Sequence, residues 1–243
     1  MSGRSREFVA LERKVVECRL CPRLVQWRGQ VAREKVRRFR EQEYWGRPIP
    51  AFGNVDASLV VIGLAPAAHG GNRTGRIFTG DRSGDWLYEA LHRFGFANQP
   101  TSIDREDGLE LYDCLVTAAV RCAPPANKPL AEELQNCRPY LRRELELLRT
   151  MRVVVGLGRI AFRSFLMAWQ ETGGSLPSGE MRFRHGGEFE LPGGVTLIVS
   201  YHPSQQNTQT GRLTREMFHH IFKRAREVLS KPPQTCTTAG HPP

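Results

Sequence analysis

Three stretches of this 243-residue chain hold residue types that can do chemistry. The first, 63–81, reads GLAPAAHGGNRTGRIFTGD. Its five glycines let backbone approach a ligand closely, and Arg73 and Arg76 are of the type that holds phosphate. Phe78 can stack on a flat base or anchor the loop to the core. The second stretch, 202–214, reads HPSQQNTQTGRLT. A histidine at a strand end can donate a hydrogen bond to a developing anion, so His202 is a candidate, with a purely structural role as the alternative. Ser204, Gln205 and Asn207 suit phosphate or base edges. The third set is thiols. Cys18 and Cys21 are two residues apart and followed by Pro22; Cys122 opens a loop with three prolines; Cys137 comes fifteen residues later. Four thiolates suit zinc or an iron–sulfur cluster, and the flanking prolines favour the cluster. Ordinary buried thiols are the alternative for Cys122 and Cys137. Cys114 lies in an apolar run and reads as core. Cys236 lies near the C-terminus and reads as having no role.

The elements that must position these groups are legible from apolar runs. Ala57–Ile62, Leu111–Val120, Arg152–Leu157 and Val195–Ser200 read as buried strands. Helices are predicted over Glu7–Cys18, Ser83–Phe94, Ala131–Met151, Gly158–Trp169 and Arg215–Leu229. Strands alternating with helices imply a parallel sheet covered on both faces. The loops after the first, second and fourth strands then converge on one sheet edge, where α/β folds place ligands. Arg28–Arg40, dense in charge, reads as a helix with a solvated face or a DNA-facing one. Tyr44–Pro50 reads as an ordered loop, Thr101–Asp107 as a polar connector, and Met181–Leu191 as a hairpin turning at Gly186-Gly187.

Length and composition bound the answer. The chain suits one α/β domain over 1–230, with 231–243, rich in proline, as a disordered tail. No apolar run approaches the ~18–20 residues of a membrane span, and the charged N-terminus is unlike a secretory signal. A cytoplasmic protein without a membrane partner is expected, which argues against disulfides. The net charge of +10 points to a polyanion, most simply nucleic acid. The glycine-rich loop lacks the GxxxxGK[ST] pattern, against a phosphate-binding hydrolase.

Together, the 63–81 loop, RCAPPANKP with Cys137 after it, and HPSQQNTQTGRLT resemble a uracil-DNA glycosylase of family 5, the UDGb branch of the iron–sulfur-containing superfamily. The likeness runs from about Cys18 to Leu229. It implies a three-layer α/β/α sandwich on a four-stranded parallel sheet. It implies a [4Fe–4S] cluster on Cys18, Cys21, Cys122 and Cys137, structural rather than electron-transferring. It implies a monomer that flips a damaged nucleotide out of DNA and hydrolyses its N-glycosidic bond, with Gly63, Ala65, Phe78 and Ala118 around the base. His202 would stabilise the leaving base anion, and Phe78 would stack on the base. Where the better-known relatives carry a polar water-activating side chain, this chain has Ala65; Asp81 is then the candidate base or cation stabiliser, and Asn127 a second group for water or base. Family 4 relatives read uracil with an asparagine at the position of Ala118. Losing a bidentate reader costs about 1–3 kcal/mol of discrimination, so a broader range is expected: uracil, hypoxanthine and hydroxymethyluracil. The rival is a cluster-bearing DNA-binding module of the same fold without turnover.

Overall fold

Unbroken runs of valine, leucine and isoleucine are stable as strands only when both faces are covered. Four such runs form the centre of the sheet. In the computed structural model, which describes residues 2–232, the order is α1 (Gly3–Glu17), α2 (Pro22–Glu34), β1 (Phe52–Gly53), β2 (Leu59–Gly63), α3 (Gly71–Thr74), α4 (Arg82–Arg93), β3 (Cys114–Ala118), α5 (Ala131–Leu147), β4 (Val153–Leu157), α6 (Arg159–Glu171), β5 (Glu188–Leu191), β6 (Val195–Ser200), α7 (Gln205–Gln209) and α8 (Arg215–Ser230). Single 3₁₀ turns cover Arg37–Phe39 and Pro125–Asn127.

The sheet runs β1-β3-β2-β4-β6-β5. β3, β2, β4 and β6 are parallel, as the alternation of strands and helices predicts. The sheet is nevertheless six-stranded and mixed, because β1 and β5 join its two edges antiparallel. These edge strands are short and only partly buried, so they lack the apolar run that marks the other four.

Successive strand residues point to opposite faces, and two cores result. Leu59, Val61, Val116 and Val155 pack against Leu87 and Leu91 of α4 and Phe218 and Phe222 of α8. Val60, Ile62, Val154 and Leu197 pack against Leu141 of α5, Phe162 and Phe165 of α6, and Leu11 of α1. This is the three-layer sandwich. Cys114 lies fully buried in the first core, as expected.

Two local readings are corrected. The predicted hairpin over 181–191 is not formed. β5 pairs instead with β6, and the chain turns at Gly193 and Gly194, both left-handed at φ 92° and 77°. The predicted helix over 28–40 stops at Glu34, because Lys35 adopts φ 50° and the chain leaves the helix there. The 101–107 segment is a connector without helix or strand, as expected, and Asp107 gathers it by accepting from the Ile103 and Leu109 amides and from Arg76. The tail reading falls, beyond residue 232, outside the described residues, as does Cys236. No helix among the described residues is long and apolar enough to cross a membrane.

Candidate active site

At the carboxyl edge of the parallel strands lies a cleft of about 590 Å³. Ala65, Phe78, Asp81, Asn127, His202, Ser204 and Gln205 all line it, so loops after β2, β3 and β6 meet in one place.

Phe78 forms the cleft's wall under strain. It adopts φ 53°, unusual for a bulky residue. Two glycines make this possible. A Cβ on Gly63 would lie 2.6 Å from the Phe78 ring, and one on Gly84 would lie 1.8 Å from the Phe78 carbonyl oxygen. Gly63 thus touches the wall from behind and does not itself line the cleft. Tyr88 Oη donates to Ile77 O at 2.8 Å, fixing the preceding peptide. The Phe78 ring stacks on the His202 imidazole, with centroids 5.9 Å apart and planes at 28°.

Asp81 caps α4. Its Oδ1 accepts from Gly84 N at 3.0 Å, and its Oδ2 lies where a side chain at Gly70 would intrude, 2.2 Å from a Cβ there. Burial raises its pKa to about 6, with the Gly84 and Ser83 amides partly offsetting. The group is therefore mostly ionised at neutral pH, with a pKa close to that of a working general base.

His202 is pushed down to about 4 by burial, so it is a neutral imidazole at pH 7. Its loop is braced from several sides. Asn207 Nδ2 donates to His202 O at 2.9 Å, Ser204 Oγ caps α7 by accepting from Asn207 N, and Ser83 Oγ donates to Pro203 O at 3.0 Å. Behind it, Tyr201 N donates to His185 Nδ1 at 3.2 Å. Asn127 stands exposed on the rim, at φ 56° beside Ala126 at φ 53°.

Not every candidate falls on the cleft. Arg73 and Arg76, expected to hold DNA, are buried and turned into the protein. Arg73 donates to His69 O, Gly80 O and Gln42 Oε1. Arg76 donates to both carboxylate oxygens of Asp107 at 2.7 Å and to Ser102 and Thr79 hydroxyls. They fix the shape of the loop that presents Phe78 and Asp81. Asn207 likewise braces its own loop. Ala118 is buried in β3, paired with Gly63, and does not line the cleft. The cations that do reach the rim are Arg82 and Lys128. Each adjoins a residue already singled out, Asp81 and Asn127, and that adjacency was the available signal.

A second cavity lies beside the first. Cys18, Cys21, Cys122 and Cys137 line a small cavity of about 10 Å³ together with Leu24, Arg121 and Tyr140. Ala65 lies between the two, lining the cleft and packing on the cysteine core. Burial raises the thiols of Cys21, Cys122 (to about 12) and Cys137 (to about 11). Among the described residues, no three His, Cys, Asp or Glu side chains are grouped as they would be around one metal ion. Arg28 is buried, not on a solvated face, and its Nε and Nη1 have no hydrogen-bond partner. Arg121 is held by Glu144, itself bonded by Thr117 Oγ1 at 2.8 Å, yet its Nε is also unpartnered.

A sandwich of this topology, with a strained aromatic, a buried carboxylate and a neutral histidine meeting at its strand ends, defines a class. The uracil DNA glycosylase superfamily matches residues 50–226. The type-5 uracil-DNA glycosylase of Thermus thermophilus is 50% identical over 219 residues, covering 90% of this chain and 97% of that one. The type-5 enzyme of Pyrobaculum aerophilum is 47% identical over 212 residues, 87% and 89% of the two chains. The type-4 uracil-DNA glycosylase of Archaeoglobus fulgidus is 30% identical over 187 residues, 75% and 82%. The chain belongs to the uracil-DNA glycosylase superfamily, in its type-5 branch.

Proposed function

We propose that this chain is a DNA repair glycosylase that hydrolyses the bond between deoxyribose and uracil, leaving an abasic site. The observation that supports this best is the meeting of Phe78, His202 and Asp81 in one cleft at the strand ends. A flipped nucleotide enters that cleft, its unstacking cost lowest where the base is mispaired. The base lies against Phe78. As the C1′–N1 bond breaks, its electron pair moves onto the base, and an N–H of neutral His202 donates to the oxygen where charge collects. A preformed donor in a buried site costs no reorganisation at that moment. The sugar becomes cationic; ionised Asp81 offsets that charge and takes the proton of the water that adds to C1′. The proton then passes from Asp81 through solvent to the base anion, and the products are the free base and the abasic sugar.

Ala65 cannot activate water, so that work falls to Asp81, with Asn127 on the rim to hold water or base. Arg82, Lys128, Ser204 and Gln205 line the mouth, where the flanking phosphates lie. With no amide of β3 reaching the cleft, recognition is loose, and hypoxanthine and hydroxymethyluracil are substrates as well. The enzyme acts as a cytoplasmic monomer.

The donor set fits a [4Fe–4S] cluster. Four thiols lining one cavity, with unpartnered guanidinium N–H groups of Arg28 and Arg121 at hand, suit a thiolate-held anionic group. Bound there, the cluster would tie the α1–α2 turn to the loop after β3 and to α5.

The test is single-turnover excision from a duplex with one uracil, and from a second with hypoxanthine. Alkali-labile sites from both support the reading. Tight, salt-sensitive binding with neither base released would favour the non-catalytic DNA-binding module.

A further inference from the structure

The chemistry above makes no use of the segment that follows α2. Lys35, Arg37, Arg38 and Arg40 place four cations within six residues. The chain leaves α2 through Lys35 in left-handed backbone, makes one 3₁₀ turn over Arg37–Phe39, and is closed by Lys35 Nζ donating to Arg40 O at 3.2 Å. Residues three apart eclipse in such a turn, so Arg37 and Arg40 lie on one side. Both are exposed. None of the four pairs with a carboxylate among the described residues. Glu34, Glu41 and Glu43 flank the group without pairing to it, and an external anion relieves the repulsion among the four cations.

The turn is fixed to the cleft. Phe39 packs beneath the Arg73 guanidinium, 4.0 Å from its ring centroid. Arg73 in turn donates to His69 O at 2.8 Å and to Gly80 O at 3.3 Å, one residue before Asp81. Downstream, Trp45 N donates to Arg73 O at 2.9 Å, Gly46 N to Asn72 O at 3.0 Å, and Tyr44 Oη lies 3.1 Å from His69 Nδ1. The whole 35–46 segment is therefore stitched along the loop that carries Phe78 and Asp81. A basic turn so anchored moves with the cleft as one body.

We propose that the 35–40 turn is a second DNA contact, holding backbone phosphates of the duplex that flanks the flipped nucleotide. Phe39 and Arg73 set its register to the cleft. The inference rests on the glycosylase reading and adds to it a surface outside the base pocket. It explains why the largely buried residue 73 is an arginine. Its planar group can bind three acceptors while its face covers Phe39.

The test is the salt dependence of binding to a uracil-containing duplex, measured for R37Q/R40Q and for a charge-matched control, R93Q/R149Q. Arg93 ends α4 and Arg149 follows α5, both exposed at the opposite edge of the sheet. Each lost phosphate contact lowers the slope of log K against log salt by about 0.9. The R37Q/R40Q slope is expected to fall by about 1–2, with weaker binding at fixed salt, while the control keeps the wild-type slope. Equal slopes in the two doubles, with uracil still released, overturn the inference and leave the glycosylase reading standing. A wild-type chain that neither releases uracil nor binds DNA overturns both.

Discussion

The cleft and the cysteine cavity share a wall at Ala65 but are built on opposite plans. The cleft is complete in the polypeptide. Its strain at Phe78, its raised carboxyl at Asp81 and its lowered imidazole at His202 are each held by neighbours already in place. The cysteine cavity is built from ligating and cationic groups instead. Its four thiols meet at one small cavity, burial disfavours ionisation of Cys21, Cys122 and Cys137, and two arginines beside it leave N–H groups unpartnered. One region has the groups a reaction needs; the other has the groups an occupant needs. The proposed chemistry belongs to the first and the proposed scaffold to the second.

The largest effect is expected where the scaffold is cut. Cys122→Ser removes one ligand from a site that joins distant parts of the chain. A cross-link over loops of this length is worth about 2–5 kcal/mol, so the melting temperature of the as-purified protein should fall by at least about 4 °C. An unchanged melting temperature would mean that the cavity holds nothing structural.

On the other side of Ala65, His202→Ala should lower the single-turnover rate by about 10²–10³-fold, the scale for one preformed donor to a developing anion. Its melting temperature should move less than that of Cys122→Ser. A stability loss with an intact rate would reverse the roles of the two regions.

The pH profile sharpens the same contrast. Asp81 must be ionised to act, and its pKa is raised to about 6. The rate should therefore fall as pH drops through about 6 and be level above it. His202 stays neutral until about pH 4 and adds no second limb in that range. A flat profile from about pH 4.5 to 7.5 would remove Asp81 as the base.

The smallest effect concerns selectivity. Ala118→Asn restores an amide at the position where family 4 relatives carry one, and should shift the uracil-to-hypoxanthine ratio towards uracil by up to about 1–3 kcal/mol. Ala118 packs behind the wall and not on it, so the amide must reach past Phe78, and an unchanged ratio would separate breadth from this position.

The sequence made the convergence legible but not every role within it. Apolar runs showed the central strands, because each is buried on both faces. The edge strands carry no such mark. Cysteine spacing showed the cavity, since two thiols on a tight turn have few other uses. Arg28, Arg73 and Arg76 were misread because composition counts charges without showing their partners. Asp107, which holds Arg76, lies 31 residues further on. Glycine content suggests close approach by a ligand, but what approaches two of these glycines is the protein itself: the Phe78 ring at Gly63 and the Asp81 carboxylate at Gly70.

The central claim is that the cleft alone carries the chemistry, and Asp81→Asn tests it most directly. Asparagine caps a helix about as well as aspartate, so α4 and the fold are retained while the charge is lost. Single-turnover excision and affinity for uracil-containing DNA are measured on the same preparation. The account predicts a rate lower by about 10²–10⁴-fold with affinity and melting temperature near those of the wild type, since the charge is needed only in the transition state. A wild-type rate with weakened binding would contradict it, and would make Asp81 part of the DNA contact instead of the reaction.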